Sequence, residues 1–153
     1  MQKLDYSKPV IVRYGVDSLP LRIEPGFCVV DLIFNENALG VLGFSPFNAR
    51  VLRDGLQLSH LDELVPGEVV VVETAVNIKE ALPGPKFHKC ERYRRKQGFG
   101  IVRSKGDHAK WIIGDRRIPV NYCGGELDVR SLKDLAHHLK MKPRDLIICI
   151  LTV

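Results

Sequence analysis

The chain has 153 residues, of which 45% are hydrophobic and 27% are charged, as in ordinary folded domains. It has no apolar run of about 18 residues, and residues 1–9 lack the apolar core of a signal peptide. We therefore expect no membrane span and a cytoplasmic location.

The net charge of +5 is unevenly divided. Residues 1–80 hold 7 Lys and Arg against 11 Asp and Glu, a net −4, and residues 81–153 hold 16 against 7, a net +9. This split indicates two modules, of which the basic one suits a polyanion.

The cysteines give no sign of a disulfide framework or of a metal site. Cys28, Cys90, Cys123 and Cys149 are widely spaced, and no CxxC pair occurs. A set of histidines and cysteines near residues 88–123 can be drawn, but it lacks the closely spaced ligand pair of a zinc site. We therefore expect ordinary thiols, no metal and no cofactor.

The first half alternates strand and helix patterns. Strands are predicted at 10–14 and 19–24, and an amphipathic helix at 29–39 that ends at Gly40. A third strand follows at 49–53, and a short fourth one includes Gln57 and Leu58. The continuous apolar run 69–73 is typical of a central strand that is buried on both faces.

This order resembles the β-grasp family of ubiquitin-like domains, including small sulfur carriers of the ThiS and MoaD type. The residues that carry the resemblance are the hairpin 10–24, the helix 29–39, the Asp54-Gly55 turn and the segment 64–71. Sulfur carriers end in an exposed Gly-Gly, whereas this strand runs on into Thr74 and beyond, so a carrier role is not expected. The resemblance implies a β-grasp domain at 1–80, and the Pro- and Gly-rich residues 81–85 are predicted to be a linker.

The second half, 86–153, predicts two helices around three short strands. The first helix covers 86–97 and ends at Gly98. The strands lie at 100–104, 109–113 and 117–121, joined by turn-forming residues. Asp128 or Ser131 is expected to cap a helix at 129–140, and the apolar residues 147–153 are predicted to form a last strand. Trp111 is expected in the core, with base stacking as the alternative.

Several short motifs resemble the HicA family of bacterial mRNA interferases, the toxins of toxin–antitoxin pairs. They are Lys96-Gln97-Gly98-Phe99, then 102–108 (Val-Arg-Ser-Lys-Gly-Asp-His), Trp111, Arg117-Ile118-Pro119-Val120 and Gly125-Glu126-Leu127 before a Leu-bearing helix. The resemblance covers about residues 86–146. It implies an α+β chain whose C-terminal domain has the α-β-β-β-α layout of double-stranded-RNA-binding (dsRBD-like) folds. It also implies a metal-independent endoribonuclease that acts on mRNA, with an antitoxin as a protein partner.

The catalytic position of that family maps onto His108. Two departures stand near it: Asp107 replaces the family's serine, and Asn121-Tyr122 follows the Pro-Val strand where the family usually has a histidine. The Asp107 carboxylate either orients His108 or repels the phosphate of the RNA. The candidate catalytic residues are therefore His108 and Asp107.

The physical requirements of RNA cleavage agree with these residues. A base must take the proton of the 2′-hydroxyl, an acid must protonate the leaving oxygen, and cations must offset the phosphorane charge. Histidine titrates near neutrality, and His88 is a remote candidate for the second proton-transfer group. The candidate nucleic-acid-binding residues are the cations of the hairpin and of the preceding helix: Arg103, Lys105, Lys110, Lys89, Arg92, Arg95 and Lys96.

Less specific interpretations remain open at this point. A single histidine on a turn is commonly a surface residue, and a run of cations is commonly a solvated helix face. The alternatives to a nuclease are a non-catalytic RNA-binding or regulatory protein of the same fold, and a protein–protein adaptor that acts through the β-grasp domain. The sequence gives neither the oligomeric state nor the preferred RNA sequence.

Overall fold

The computed structural model describes residues 3–75, 83–103 and 108–153. The chain divides into two compact units, Met1–Leu82 and Pro83–Val153. Within the described residues there are two sheets and five helices, so the chain is of the mixed α+β class. None of the described helices is long and apolar enough to cross a membrane.

The first unit contains a five-stranded mixed sheet and two short helices. Its elements are β1 (Val10–Tyr14), β2 (Asp17–Leu21), α1 (Val29–Ile33), α2 (Glu36–Leu42), β3 (Ala49–Arg53), β4 (Leu56–Gln57) and β5 (Val69–Thr74). The strand order is β2-β1-β5-β3-β4, with β1 and β5 parallel and the other pairs antiparallel. The apolar run of β5 therefore lies at the centre of the sheet, as the sequence predicted, but the predicted burial on both faces is wrong, because Val70 and Val72 are buried while Val69 is exposed. A hairpin, a helix and a central last strand parallel to the first form the arrangement that the β-grasp resemblance implies.

The prediction of a single helix at 29–39 is wrong, because two helices, α1 and α2, occupy this region. The side chain of Asn35 accepts a hydrogen bond from the Ala38 N–H at 2.9 Å, and so caps α2 and separates it from α1. The second helix passes through Gly40 and ends at Gly43, whose φ of 78° gives it the left-handed conformation of a helix C-cap.

The second unit contains a four-stranded antiparallel sheet and three helices. Its elements are α3 (Phe87–Gln97), β6 (Gly100–Arg103), β7 (His108–Ile113), β8 (Arg116–Cys123), β9 (Glu126–Leu127), α4 (Val129–His138) and α5 (Pro143–Leu151). The strand order is β6-β7-β8-β9. Gly98 ends α3 with a φ of 76°, and Asp128 caps α4, both as predicted. Trp111 is fully buried, so it belongs to the core and does not stack on bases.

Two elements of this unit differ from the sequence prediction. The residues predicted as the last strand, 147–153, belong mostly to α5, which begins with Pro143 at its first turn. The helix buries Leu146, Ile147 and Ile150 on one side, and this burial overrides the strand propensity of the β-branched residues. The second difference is β9, a fourth strand beside the three predicted ones, which a tight turn of Gly124 and Gly125, both with positive φ, connects to β8.

The described part of the predicted linker packs against the second sheet. The Leu127 N–H donates to the Pro85 carbonyl at 2.8 Å, and the Phe87 N–H donates to the Gly125 carbonyl at 2.8 Å. Gly84 passes so close to β9 that a Cβ built on it would lie 1.9 Å from the Leu127 carbonyl oxygen. Pro83–Pro85 therefore belong to the second unit, while residues 81 and 82 lie outside the described residues.

Substituting Gly84 should selectively destabilise the second unit. We expect Gly84→Ala to lower its free energy of unfolding by about 1–3 kcal/mol, because the methyl group must displace backbone atoms of β9. The matched control is Gly40→Ala in α2, where a Cβ meets no atom within 4 Å and should raise stability by about 0.5–1 kcal/mol. Urea unfolding of the full-length variants measures both changes. An unaltered unfolding midpoint for Gly84→Ala would contradict the close approach.

Candidate functional site

His108 is the first residue of β7 and lies directly opposite Asn121 of β8. Its Nδ1 atom is 2.9 Å from the Asn121 Oδ1. Since a carboxamide oxygen can only accept a hydrogen bond, we assign the proton to Nδ1, which makes Nε2 the basic nitrogen of the neutral ring. Asn121 therefore fixes the orientation of the His108 ring.

Asn121 is itself fixed by the N-terminus of α4. Its N–H donates to the Ser131 Oγ at 2.8 Å, and its carbonyl accepts the Asp128 N–H at 3.0 Å. Asp128 in turn caps the helix by accepting the Ser131 N–H at 2.7 Å. Sequence reasoning noted Asn121 only as a departure from the HicA pattern, and its place as the His108 partner depends on the β7–β8 register.

A cavity of about 330 Å³, cavity one, opens beside His108. His108, Arg103 of β6, and the rings of Phe87 and Tyr122 are among its lining residues. The Arg103 guanidinium carbon is 5.6 Å from the centroid of the Phe87 ring, which in turn packs edge-on against Tyr122 at 5.0 Å. Cavity one thus combines a proton acceptor, a cation and an aromatic wall.

A buried carboxylate lies behind Arg103. Glu91 of α3 is 5% exposed and accepts hydrogen bonds from the Arg94 Nε at 3.2 Å and Nη2 at 2.8 Å. The Nη2 atom of Arg103 is 3.6 Å from the same carboxylate. These hydrogen bonds from Arg94 lower the pKa of Glu91, with smaller contributions from the charges of Arg94 and Arg103, although burial acts in the opposite direction. Glu91 therefore remains ionised and holds a cation at the wall of cavity one.

Glu91 and Arg94 were not recognised from the sequence as site residues. The available signal was an acid and an arginine three residues apart beside an apolar stripe, a spacing that places both side chains on one face of a helix. Arg94 also donates to the Phe99 carbonyl at 2.8 Å, so the pair fixes the residues that lead into β6.

The thiol and the phenol near the cavity are not nucleophiles at neutral pH. Burial raises the pKa of the Cys90 thiol to about 12, and burial also raises the pKa of the Tyr122 hydroxyl. Among the described residues, no group of three His, Cys, Asp or Glu side chains is placed to hold a metal ion. The thiol and the phenol are therefore excluded as nucleophiles, whereas His108 and Arg103 line cavity one.

The other predicted site residues are dispersed. Arg92 and Arg95 line a second cavity together with His88, while Lys89 and Lys96 lie elsewhere on α3. Lys110 is exposed two residues after His108 and so lies on the same face of β7. Asp107 and Lys105 fall outside the described residues. The structure therefore brings Arg103 and His108 together at cavity one and places two of the helix cations beside it.

Comparison with known proteins identifies no family. No family model matches the chain, and no curated protein matches it. Among solved structures, it is similar to a computationally designed protein based on the template of human erythrocytic ubiquitin, with 21% identity over 46% of this chain and 94% of that chain and a TM-score of 0.38. It is also similar to a chain from the crystal structure of ATBAG1 in complex with HSP70, with 12% identity over 60% of this chain and 49% of that chain and a TM-score of 0.41. Both TM-scores lie below 0.5, so function must be inferred from the site itself.

The Glu91 carboxylate should make the stability of the second unit dependent on pH. We expect Glu91→Gln to lower its free energy of unfolding at pH 7 by about 1.5–3 kcal/mol, since charge-assisted hydrogen bonds to Arg94 are lost. Folding lowers the pKa of Glu91 from its ordinary value of 4.5. The excess in free energy of unfolding of the wild type over Glu91→Gln should therefore disappear as pH falls below that value.

Urea unfolding at pH 7 and at pH 3 measures the change. The control is Asp134→Asn, at an exposed position of α4, for which we expect little difference at either pH. A difference between wild type and Glu91→Gln that stays constant across this range would refute the role of the ionised carboxylate.

Proposed function

We propose that the chain joins a ubiquitin-like β-grasp domain to a HicA-like module that cleaves RNA without a metal ion. The order of α3, three antiparallel strands and α4 supports a dsRBD-like arrangement of the second unit, to which β9 and α5 are additions. The net charge of +9 on residues 81–153 supports an RNA partner, because phosphate contacts dominate affinity for nucleic acids. The resemblance adds cytoplasmic mRNA as the substrate and an antitoxin as the protein partner.

One observation carries the proposal of catalysis: His108 is oriented by Asn121 beside a cavity that is also lined by Arg103. In the proposed reaction, Nε2 of His108 takes the proton of a ribose 2′-hydroxyl. The 2′-oxygen attacks the adjacent phosphorus, the bond from phosphorus to the 5′-oxygen breaks, and solvent protonates that oxygen. The products are a 2′,3′-cyclic phosphate end and a 5′-hydroxyl end.

Arg103 supplies the electrostatic part of the mechanism. As the negative charge on the non-bridging oxygens grows, a guanidinium that already lies in the cavity stabilises it without reorganisation. The stacking of Arg103 on Phe87 and its proximity to Glu91 limit the conformations of its long side chain. Phe87 offers an apolar surface for a base of the substrate.

A second candidate function is RNA binding without cleavage. The observation that favours it is Asn121, which stands where the HicA pattern has a histidine and cannot itself transfer a proton near neutrality. This alternative requires salt-sensitive RNA affinity with no cleavage products.

Replacing His108 should abolish cleavage and retain the fold. We expect His108→Ala to lower the rate of cleavage of single-stranded RNA by about 10²–10⁴-fold, the usual contribution of a general base. The control is His137→Ala at an exposed position of α4, which should cleave at the wild-type rate. EDTA should leave the rates unchanged, and end-group analysis should show cyclic phosphates. Equal rates of cleavage by the wild type and His108→Ala would refute the catalytic proposal. Absence of cleavage by both proteins would refute it as well.

Asn121 should act as a positioning residue for His108. We expect Asn121→Ala to lower kcat about tenfold or more with little change in KM, because the ring loses its orienting acceptor. The comparison variant Asn121→Asp keeps an acceptor but adds a negative charge, which stabilises the imidazolium. The acidic limb of its pH–rate profile should therefore move to higher pH by about one unit. Unchanged profiles for both variants would contradict this role.

A further inference from the structure

A second cavity of about 360 Å³, cavity two, adjoins cavity one in the second unit. The two cavities share Phe87 and Arg103 as lining residues. The rest of cavity two is formed by one face of α3, on which His88, Arg92 and Arg95 follow at intervals of four and three residues. The same aromatic ring and the same guanidinium therefore face both spaces.

The charge of cavity two favours an anion. Its lining carboxylate, Glu91, is already bound by Arg94 and approached by Arg103. Arg92 and Arg95 are exposed, and neither forms an ion pair with a carboxylate in the described part of the chain. Two cations without a carboxylate partner among the described residues thus line a space whose own carboxylate is already paired, an arrangement that suits the binding of a phosphate group.

The shared wall favours a planar ring. Phe87 is 38% exposed, although its backbone N–H is tied to the Gly125 carbonyl and its ring packs edge-on against Tyr122 and lies beneath the Arg103 guanidinium. An aromatic residue that is held in place and still partly exposed provides a stacking surface for an unpaired base. Inside a duplex the bases are already stacked, so such a surface selects single-stranded RNA.

We propose that cavity two binds the nucleotide next to the one that is cleaved in cavity one. Arg92 and Arg95 bind its phosphate, and Phe87 stacks on its base. The module then requires single-stranded RNA that extends beyond the scissile phosphate on one side. The choice of RNA as the ligand rests on the proposed function, whereas the location of the subsite rests on the shape and charge of cavity two.

Binding to a non-cleavable strand tests the subsite independently of catalysis. The probe is a fluorescent 12-nucleotide 2′-O-methyl RNA, and the full-length chain is titrated by anisotropy at several salt concentrations. We expect Arg92→Ala/Arg95→Ala to weaken binding about tenfold or more and to reduce the slope of log K against log salt by about 0.7, which corresponds to the one single-strand phosphate that both arginines bind. The matched control, Arg117→Ala/Lys142→Ala, removes two exposed cations that do not line cavity two and should bind almost as the wild type does.

Two further variants separate stacking from charge. Phe87→Leu keeps an apolar side chain but removes the aromatic face, and we expect it to bind single-stranded RNA about 5- to 100-fold more weakly. Its residual affinity for a 12-base-pair RNA duplex should match that of the wild type. Far-ultraviolet circular dichroism checks that each variant is folded.

A kinetic arm locates the subsite relative to the cleaved bond. After the cleavage site in a long RNA is mapped, a dinucleotide of that site is compared with versions extended on the 5′ or the 3′ side. Extension on one side should raise kcat/KM about tenfold or more. The Arg92→Ala/Arg95→Ala variant should lose this gain and keep the wild-type kcat/KM for the dinucleotide.

The outcomes distinguish the two proposals. RNA binding that depends on Arg92, Arg95 and Phe87 without any cleavage would refute the nuclease and retain the subsite. If the wild type cleaves RNA and the Arg92→Ala/Arg95→Ala variant binds RNA as tightly as its control does, the subsite is refuted and the nuclease is retained. A chain that binds no single-stranded RNA overturns both.

Discussion

The buried ion pair of Glu91 and Arg94 is the interaction on which the second unit's candidate site depends. An ionised carboxylate at 5% exposure is costly unless its oxygens are satisfied, and Arg94 satisfies them with two hydrogen bonds. Arg94 also binds the Phe99 carbonyl, and Glu91 also attracts Arg103. One helix thereby holds the residue before β6 and the guanidinium at the end of β6, so the position of Arg103, the cation that both cavities share, depends on a single internal charge pair.

The orientation of His108 arises from a different part of the unit. Asn121 is held at both its N–H and its carbonyl by the first residues of α4, and its side chain meets the imidazole. The orientation of His108, the proposed proton-transfer group, is thus set by β8 and α4, and the position of Arg103 by α3 and β6. The two functions meet at cavity one only because β6, β7 and β8 are neighbours in one antiparallel sheet. Small changes in either pair of elements would separate them.

The sequence predicted local features well and tertiary pairings poorly. Gly98 as the end of α3, Asp128 as the cap of α4 and the central position of β5 follow from backbone conformation and apolar patterning, which neighbouring residues determine. The last helix was predicted as a strand because its β-branched residues favour a strand locally. It forms a helix because it is buried against α3 and α4, and that burial depends on distant residues. The partner of His108 and the acid behind Arg103 were missed for the same reason, since both depend on pairings that no local pattern shows. The assignment of Asp107 as a catalytic residue stays a prediction from the sequence.

The choice of an amide as the partner of His108 matters for the proposed binding of a polyanion. A carboxylate in the place of Asn121 would orient the ring equally well, but it would add a negative charge where phosphate must enter. The amide fixes the tautomer without that repulsion. Glu91, the carboxylate that lines cavity two, is paired with the largely buried Arg94 and approached by Arg103. Among the described residues, an amide positions His108 and a carboxylate paired with Arg94 positions Arg103, so neither group adds an unpaired negative charge to the proposed path of the phosphate.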